Sequence, residues 1–280
     1  MAGTLYLVGT PIGNLGDLSP RALQTLEDVD FVAAEDTRVT LKLLNHFGLK
    51  KPLVCYFEHN RAEMGEKLLA RLLAGESCAL VTDAGMPAIS DPGEDIVRQC
   101  ALQGVQVLAV PGPSALVTAL AVSGLPTQRF TFEGFLAVSG KSRREHLEAL
   151  RGEKRTMVFY EAPHKLLRTL QDLLETLGDR NVALCRELTK LHEEVYRTTL
   201  SEAITHYTET PPRGEFVLVL HGAPEQTAPA MDMDAALAAV ARYRADGKGL
   251  KEACRLAAAD SGYAKNTLYQ RCLEAEKQKE

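Results

Sequence analysis

Strand-like and helix-like segments alternate over the first 122 residues, and this alternation constrains the fold more than any other feature of the chain. Short apolar stretches typical of buried strands lie at residues 5–9, 30–35, 52–56, 78–81 and 106–110. Segments with helical spacing lie between them, at residues 20–26, 39–47, 62–73, 94–100 and 113–122. Strands that alternate with helices in this way are typical of βαβ units. The sequence therefore predicts an α/β domain with a mostly parallel sheet over residues 1–122.

The pattern changes after Pro126, where the connections between strands become more varied. Strands are predicted at residues 130–135, 156–160, 182–186, 194–199 and 215–221, and helices at 143–150, 165–177 and from 201. We expect a second α/β domain over residues 123–222 with a mixed, more antiparallel sheet. Residues 223–230 are predicted to be a linker. Residues 231–280 predict a small all-helical domain of helix-turn-helix type, with Gly262 in the turn.

Composition excludes several classes of protein. The 280 residues are 45% hydrophobic and 25% charged, with a formal net charge of −5, which is ordinary for a globular protein and argues against a surface coated for nucleic acid. No apolar run approaches the roughly twenty residues needed to span a bilayer. The six cysteines are scattered, and the seven histidines form no metal-binding motif. We therefore expect a cytoplasmic protein with reduced thiols and no metal centre.

Three loops rich in proline and glycine follow the first, fourth and fifth predicted strands, at residues 9–16, 83–93 and 110–115. A phosphate cradle needs free backbone N–H groups, but five prolines remove such donors here, and Asp83 and Asp91 would repel phosphate. Ligands of open α/β sheets bind at this edge, so the loops favour a ligand without phosphate, such as the cationic nucleoside S-adenosylmethionine. The alternative is that they are tight turns, in which both aspartates cap helices or bond within the loop.

Eight motifs then occur in an order that is familiar from one bacterial family. They are Tyr6–Leu15, Ala34–Arg38, His59–Asn60, Asp83–Gly93, Val110–Ala115, Phe132–Leu136, Phe159–His164 and Cys185–Lys190. On these motifs the chain resembles the 16S ribosomal RNA (cytidine-2′-O)-methyltransferases, a branch of the tetrapyrrole-methylase superfamily, over residues 4–222. One departure is Ala137, where the family usually has proline.

The resemblance implies two α/β domains with S-adenosylmethionine in the cleft between them, and a homodimer. It also implies methylation of the ribose 2′-hydroxyl of a cytidine in the decoding region of 16S rRNA, within the small ribosomal subunit. Two other functions stay open at this point. One is a small-molecule methyltransferase acting on a tetrapyrrole, and the other is a non-catalytic RNA-binding module.

The resemblance also implies cofactor contacts, carried over motif by motif. The predicted cofactor residues are Pro11, Asp83, Gly85, Met86, Ile89, Ser114, Ala115, Tyr160, Leu188, Gly214 and Glu215. Those of the first domain would hold the methionine portion, and those of the second would lie around the adenine. Asp83 would orient its loop or face the sulfonium.

A ribose hydroxyl is a weak acid, so a carboxylate or histidine within hydrogen-bond reach would take its proton during transfer. The candidate catalytic residues are Asp36, Glu161, His164 and Glu187. Alternatively, Glu161 and Glu187 belong with Arg186 and Lys190 to an interdomain network of ion pairs. His164 would then simply be a residue of a first helical turn.

Basic residues cluster in two places, residues 141–155 and 242–271. The predicted RNA contacts are Arg38, Lys141, Arg143, Arg144, Lys154, Arg155, Lys190, Arg242, Arg244, Lys248, Lys251, Arg255 and Lys265. A net-acidic protein can bind RNA through such patches, with an affinity that falls steeply with salt. The alternative is a solvated charged face.

Overall fold

The computed structural model describes residues 2–224, 231–261, 263 and 265–277. The chain divides into two compact units, Met1–Ala223 and Pro224–Glu280. The predicted fold class is confirmed: two α/β sheets make up the first unit, and helices make up the second. Within the ranges described, no helix is both long and apolar enough to cross a membrane.

The first sheet is entirely parallel, as predicted. Its strands are β1 (Thr4–Val8), β2 (Phe31–Ala34), β3 (Leu53–Cys55), β4 (Cys78–Val81) and β5 (Gln106–Val110). They are connected by helices α1 (Pro20–Asp28), α2 (Thr37–His46), α3 (Arg61–Leu73), α4 (Glu94–Leu102) and α5 (Ala115–Val122). The strand order is β3-β2-β4-β1-β5. Because β1 lies between β4 and β5, the three loops rich in proline and glycine meet at one edge of the sheet.

The second sheet is mixed, again as predicted. Its strands are β6 (Phe130–Gly134), β7 (Thr156–Glu161), β8 (Asn181–Arg186), β9 (Glu194–Thr199) and β10 (Phe216–Leu220). The order is β6-β7-β10-β8-β9, and only the β6–β7 pair is parallel. Helices α6 (Gly140–Ala149), α7 (Pro163–Leu177) and α8 (Leu200–Glu209) cover this sheet.

Helix ends follow capping chemistry that is visible in the sequence. Ser19 accepts a hydrogen bond from the Ala22 N–H at 3.1 Å, and Pro20 occupies the first turn of α1, as predicted. Helix α7 also begins with a proline, Pro163, two residues before the predicted start. Its leucines recur at helical spacing and are buried against the second sheet, each contributing roughly 1.5–3 kcal/mol. They are Leu166, Leu170, Leu173 and Leu177.

The second unit consists of helices α9 (Met233–Ala245), α10 (Leu250–Ser261) and α11 (Lys265–Lys277). They share a small core that includes Val240, Cys254 and Leu268. The predicted turn at Gly262 and most of the predicted linker, residues 225–230, lie outside the described residues.

Candidate active site

A cleft of about 640 Å³ lies between the carboxyl ends of the first-sheet strands and the second sheet. Its volume is within the range of small-molecule and cofactor sites, roughly 300–1,000 Å³. Nine of the predicted cofactor residues line it: Asp83, Gly85, Met86, Ile89, Ser114, Ala115, Tyr160, Leu188 and Glu215. Pro11 and Gly214 do not, although Ile12, the neighbour of Pro11, does.

The loops after β1, β4 and β5 are held together by backbone contacts. Thr10 and Gly85 exchange two backbone hydrogen bonds, of 2.9 and 3.1 Å, and the Thr10 hydroxyl donates to the Thr82 carbonyl at 3.1 Å. A Cβ atom on Gly9 would lie 2.7 Å from the Gly112 Cα, which no real structure tolerates. Glycine at these two positions is therefore required for the loops to approach each other, and their approach shapes one wall of the cleft.

The acidic loop of residues 83–93 has an unusual backbone. Ala88 and Ser90 have φ angles of 67° and 68°, and Gly85 and Gly93 are also left-handed, at 89° and 150°. Left-handed conformations in residues other than glycine cost of order 1–3 kcal/mol and cluster at functional sites. A Cβ on Gly93 would lie 2.9 Å from the Ala88 Cβ, so neither residue can relax independently.

Three carboxylates stand on the first-sheet side of the cleft: Glu35, Asp83 and Asp91. Burial, followed by the charge of Glu35, raises the pKa of Asp91 to about 6 and also raises the pKa of Asp83. The Thr82 hydroxyl donates to the Glu35 carboxylate at 2.7 Å. This acidic wall disfavours its own negative charge, so a bound cation would relieve it.

Asp91 does not cap α4, because Gly93 occupies the N-cap position and has no side chain with which to cap the helix. Asp83 does orient the loops: it accepts a hydrogen bond from the Asp36 N–H at 3.2 Å. Glu35, rather than its neighbour Asp36, lines the cleft. The sequence placed both at a strand end, but it could not show which of two adjacent side chains faces the ligand.

Asp36 is committed elsewhere. It caps α2 by accepting from the Arg38 N–H at 2.8 Å, and its carboxylate pairs with the Arg38 guanidinium at 2.6 Å. These hydrogen bonds hold the pKa of Asp36 at about 2. A carboxyl of such low basicity that does not line the cleft is a poor proton acceptor, so the structure disfavours the predicted catalytic role of Asp36.

The opposite wall, from the second sheet, is largely apolar. Tyr160 presents its ring to the cleft and accepts a hydrogen bond from the Leu116 N–H at 3.1 Å. This satisfies one of the free N–H groups at the start of α5 and ties the two sheets together. The rings of Phe132 and Phe135 contact Tyr160 edge-on, with centroids 4.9 and 5.7 Å away. Burial raises the pKa of Tyr160, so it stays neutral.

Glu161 ends β7 and is only 5% exposed, yet it lines the cleft. One carboxylate oxygen accepts from the Thr169 hydroxyl at 2.5 Å, and the other accepts from the Ala162 N–H at 2.9 Å. Among the residues that the structure describes, no ion pair includes Glu161. The ion-pair alternative therefore fails for this residue. His164, in the first turn of α7, is exposed at the cleft.

Glu187 and Lys190 do form ion pairs, as the alternative predicted, but the network lies within the second α/β domain and is not interdomain. The Lys190 ammonium lies 3.0 Å from a Glu187 oxygen and 2.8 Å from a Glu215 oxygen. The Glu215 N–H also donates to Glu187 and lowers its pKa. Gly214 serves this network, since a Cβ there would lie 2.6 Å from the Glu187 carboxylate. Glu187 is therefore occupied, whereas Lys190 itself lines the cleft.

One predicted RNA contact is wrong. Arg143 is 5% exposed and pairs with Asp172 at 2.7 Å. Its guanidinium also donates to the Ala137 carbonyl at 2.9 Å and to the Thr169 hydroxyl at 3.0 Å. A buried guanidinium with three partners cannot reach RNA phosphate. The other predicted RNA contacts on α6 are exposed.

Most of the other predicted RNA contacts are exposed, and several already have an acidic partner. Arg38 pairs with Asp36, Arg155 with Glu153, and Arg255 with Glu252. The exposed residues are Arg38, Lys141, Arg144, Lys154, Arg155, Arg242, Arg244, Lys248, Lys251, Arg255 and Lys265. Within the described part of the chain, no group of His, Cys, Asp and Glu is arranged to hold a metal ion.

Comparison with known proteins places this geometry in a family. A sequence profile of the Tetrapyrrole (Corrin/Porphyrin) Methylases matches residues 4–204. The chain is 47% identical over 275 residues to the ribosomal RNA small subunit methyltransferase I of Synechocystis, covering 98% of this chain and 99% of the relative. The protein of the same name from Escherichia coli O157:H7 is 46% identical over 277 residues, covering 97% and 95%. That of Thermotoga maritima is 51% identical over 220 residues, covering 79% of this chain but 99% of the relative.

Solved structures share the fold at lower identity. A uroporphyrin-III C-methyltransferase of Thermus thermophilus in complex with S-adenyl homocysteine matches with a TM-score of 0.55 and 21% identity, covering 77% of this chain and 97% of that one. A diphthine synthase matches with a TM-score of 0.60 and 15% identity, covering 78% and 90%. At this level of identity the likeness shows the fold alone.

Proposed function

The chain belongs to the ribosomal RNA small subunit methyltransferase I family, a branch of the tetrapyrrole methylases, and we propose that it methylates the ribose 2′-hydroxyl of a cytidine in the decoding region of 16S rRNA. It is a methyltransferase, and its cofactor is S-adenosylmethionine. The observation that carries the proposal is that one side of the cleft carries three carboxylates, whereas the other carries the apolar surface around Tyr160 and Leu188 beside the ion-paired Lys190. That division suits a methyl donor that carries both a positive charge and an aromatic adenine ring.

The donor set of the cleft fits S-adenosylmethionine. When bound, this cofactor supplies a methyl group activated by a positively charged sulfur. Asp83 and Asp91, with Glu35 beside them, would stabilise that charge, and their raised pKa values reflect burial and the nearby charge of Glu35. Met86 and Ile89 would contact the methionine portion, and the Tyr160 side of the cleft would contact the adenine. The prolines of the three loops leave few N–H groups for a phosphate.

Glu161 is the best placed of the four candidate catalytic residues to take the proton of the attacking hydroxyl. It lines the cleft, it is buried, and no ion pair among the described residues neutralises it. Asp36 and Glu187 are held by Arg38 and Lys190. His164 lies at the exposed end of the cleft. A carboxylate within hydrogen-bond reach of the hydroxyl would both orient it and accept its proton as the bond to carbon forms.

Exposed basic residues support the proposal that the substrate is RNA. Arg144 and Lys141 lie on α6, which follows the loop that carries the cleft residue Phe135. The exposed arginines and lysines of α9 and α10 form a second patch. Because the protein is net acidic, we expect binding to depend on these patches and to fall steeply with salt.

We also propose that the protein acts as a homodimer in the cytoplasm. β5 is an edge strand of the first sheet, and Leu108 on it is 40% exposed. Val117 on α5 and Phe130 on the edge strand β6 are 57% and 39% exposed. Exposed apolar side chains along two sheet edges are typical of a surface that another chain covers.

The proposal is tested by methylating small ribosomal subunits whose 16S rRNA lacks the modification, with cofactor labelled in the methyl group. Nuclease digestion and mass spectrometry should place the label on a cytidine ribose. Label on a base, or none on RNA while a tetrapyrrole substrate is methylated, would contradict it. A variant that lacks residues 231–280 should bind cofactor normally but methylate subunits less efficiently. The relative from Thermotoga maritima supports this expectation, because 99% of its length matches only 79% of this chain.

A further inference from the structure

A chain of three buried polar side chains leads from α6 to the floor of the cleft. The Arg143 guanidinium donates to the Thr169 hydroxyl at 3.0 Å, and that hydroxyl donates to the Glu161 carboxylate at 2.5 Å. The three residues are 5%, 1% and 5% exposed, so water competes little for these bonds. Buried hydrogen-bonded networks of this kind fix the position of the group at their end.

The direction of each bond is determined by chemistry. A guanidinium only donates, and an ionised carboxylate only accepts. The Thr169 hydroxyl has one hydrogen, so accepting from Arg143 commits that hydrogen to Glu161. The relay therefore fixes one oxygen of the Glu161 carboxylate without bringing a cation into contact with it.

We propose that Arg143 and Thr169 are positioning residues for the reaction, which hold the Glu161 carboxylate in place and aimed at the attacking hydroxyl. A lysine or arginine paired directly with Glu161 would have lowered the basicity of the carboxylate and blocked the oxygens that must face the substrate. A neutral hydroxyl lowers the basicity of the carboxylate less than a cation in direct contact, and each oxygen keeps a second lone pair for the substrate. This inference rests on the proposed function, in which Glu161 takes the proton.

Arg143, at the α6 end of the relay, makes a second hydrogen bond that also affects the cleft. Its donation to the Ala137 carbonyl fixes the loop after β6, and Phe135 on that loop contacts Tyr160 in the cleft. One guanidinium therefore holds both the carboxylate and part of the wall opposite the acidic loop. Asp172 pairs with Arg143 and keeps its charge balanced away from the cleft.

Other charged groups near Glu161 also influence its carboxylate, and they are the same in every variant of the test. Those that line the cleft are Glu35, Asp83, Asp91, His164, Lys190 and Glu215. Behind the relay stand Arg143 and Asp172.

The test replaces Thr169 by valine, which keeps the shape of the side chain and removes the hydroxyl. We expect the acidic limb of the kcat/KM profile to move to higher pH by about one unit, with cofactor affinity unchanged, because one hydrogen bond to the ionised carboxylate is lost. Thr169→Ser should restore the parent profile. Thr156→Val is the matched control: Thr156 is 2% exposed, and its hydroxyl donates to the Pro126 carbonyl at 2.7 Å, at the far end of β7. It should leave the profile unchanged.

A second readout does not depend on turnover. In protein labelled with ¹³C at the glutamate carboxyls, the Glu161 signal is identified by its loss in Glu161→Gln. At pH 8 its chemical shift should change in Thr169→Val and return in Thr169→Ser. An unchanged signal and an unchanged pH profile in Thr169→Val would overturn the relay. The proposed function would still stand in that case if the parent enzyme methylates the ribose. Full activity of Glu161→Gln would overturn both the relay and the role of Glu161.

Discussion

Replacing Asp91 by asparagine should stabilise the folded protein, and the gain should grow with pH. Burial and the charge of Glu35 raise the pKa of Asp91 from 3.8 to about 6. In the pH range between these two values the folded state holds a proton that the unfolded state has lost, so stability falls as pH rises and the loss is complete above about pH 6. At about 1.36 kcal/mol per unit, the ionised side chain costs up to about 3 kcal/mol at pH 8 and about 1 kcal/mol at pH 4.5. Its partial exposure to solvent makes these figures upper limits.

The assay is urea unfolding followed by circular dichroism, since the chain has no tryptophan. Asp91→Asn should raise the free energy of unfolding of the first unit by about 1.5–3 kcal/mol at pH 8, and by clearly less at pH 4.5. The matched control is Asp179→Asn. Hydrogen bonds from Ser201 lower the pKa of Asp179, so its ionised form stabilises the fold above the unfolded pKa, and this contribution is lost as pH falls. The control should therefore destabilise the protein at pH 8.

The same substitution should weaken cofactor binding in a way that reports charge. S-adenosylmethionine carries a cationic sulfur, whereas S-adenosylhomocysteine is neutral at that atom. Removing one nearby carboxylate should weaken the first ligand about tenfold and the second much less, as measured by calorimetry. A loss of stability at pH 8, or an equal effect on both ligands, would refute the view that the acidic wall is held in place for a cation.

Three further changes have expected outcomes. Met86→Asp should abolish binding of S-adenosylmethionine in calorimetry without altering the circular dichroism spectrum, because Met86 lines the cleft and the new charge would remove its apolar contact; normal binding would mean that the loop is wrongly assigned. Gly9→Ala should destabilise the protein by about 1–3 kcal/mol in urea unfolding, because its Cβ would lie 2.7 Å from a neighbouring backbone atom, whereas Gly152→Ala, with open space around it, should be neutral. Arg143→Ala should lower the unfolding temperature by breaking a buried ion pair, whereas Arg144→Ala should leave it unchanged and reduce the salt dependence of RNA binding; equal melting temperatures for the two variants would contradict the burial of Arg143.

The sheets could be predicted from the sequence because their signals are local. Short apolar runs separated by amphipathic helices specify parallel strands, and the Ser19-Pro20 pair specifies where α1 begins. The meeting of three loops at one edge follows from the topology once β1 is placed between β4 and β5. The position of the cleft and the class of ligand that it favours could therefore be predicted from the sequence.

Individual side-chain roles were less accessible because they depend on contacts between distant segments. Arg143 looks like its exposed neighbour Arg144 in the sequence, but the packing of α6 on α7 turns it toward Asp172. Glu35 and Asp36 are adjacent, and only the capping of α2 sends Asp36 away from the cleft. In both cases the direction of the side chain depends on a partner that the local sequence pattern does not specify.

The two kinds of carboxylate in the cleft have opposite requirements, and the structure meets them in different ways. A wall that attracts a cation must keep its charges uncompensated, so Asp83 and Asp91 stand close to Glu35 without a basic partner in the cleft, at a cost in stability. The proposed proton acceptor, Glu161, is held by hydrogen bonds from Thr169 and Ala162, and no ion pair among the described residues includes it. If a lysine replaced Thr169, both the basicity of Glu161 and the preference for a cation nearby would fall. In the proposed reaction, the neutral hydroxyl between Arg143 and Glu161 would let one small cleft both bind a positive charge and accept a proton.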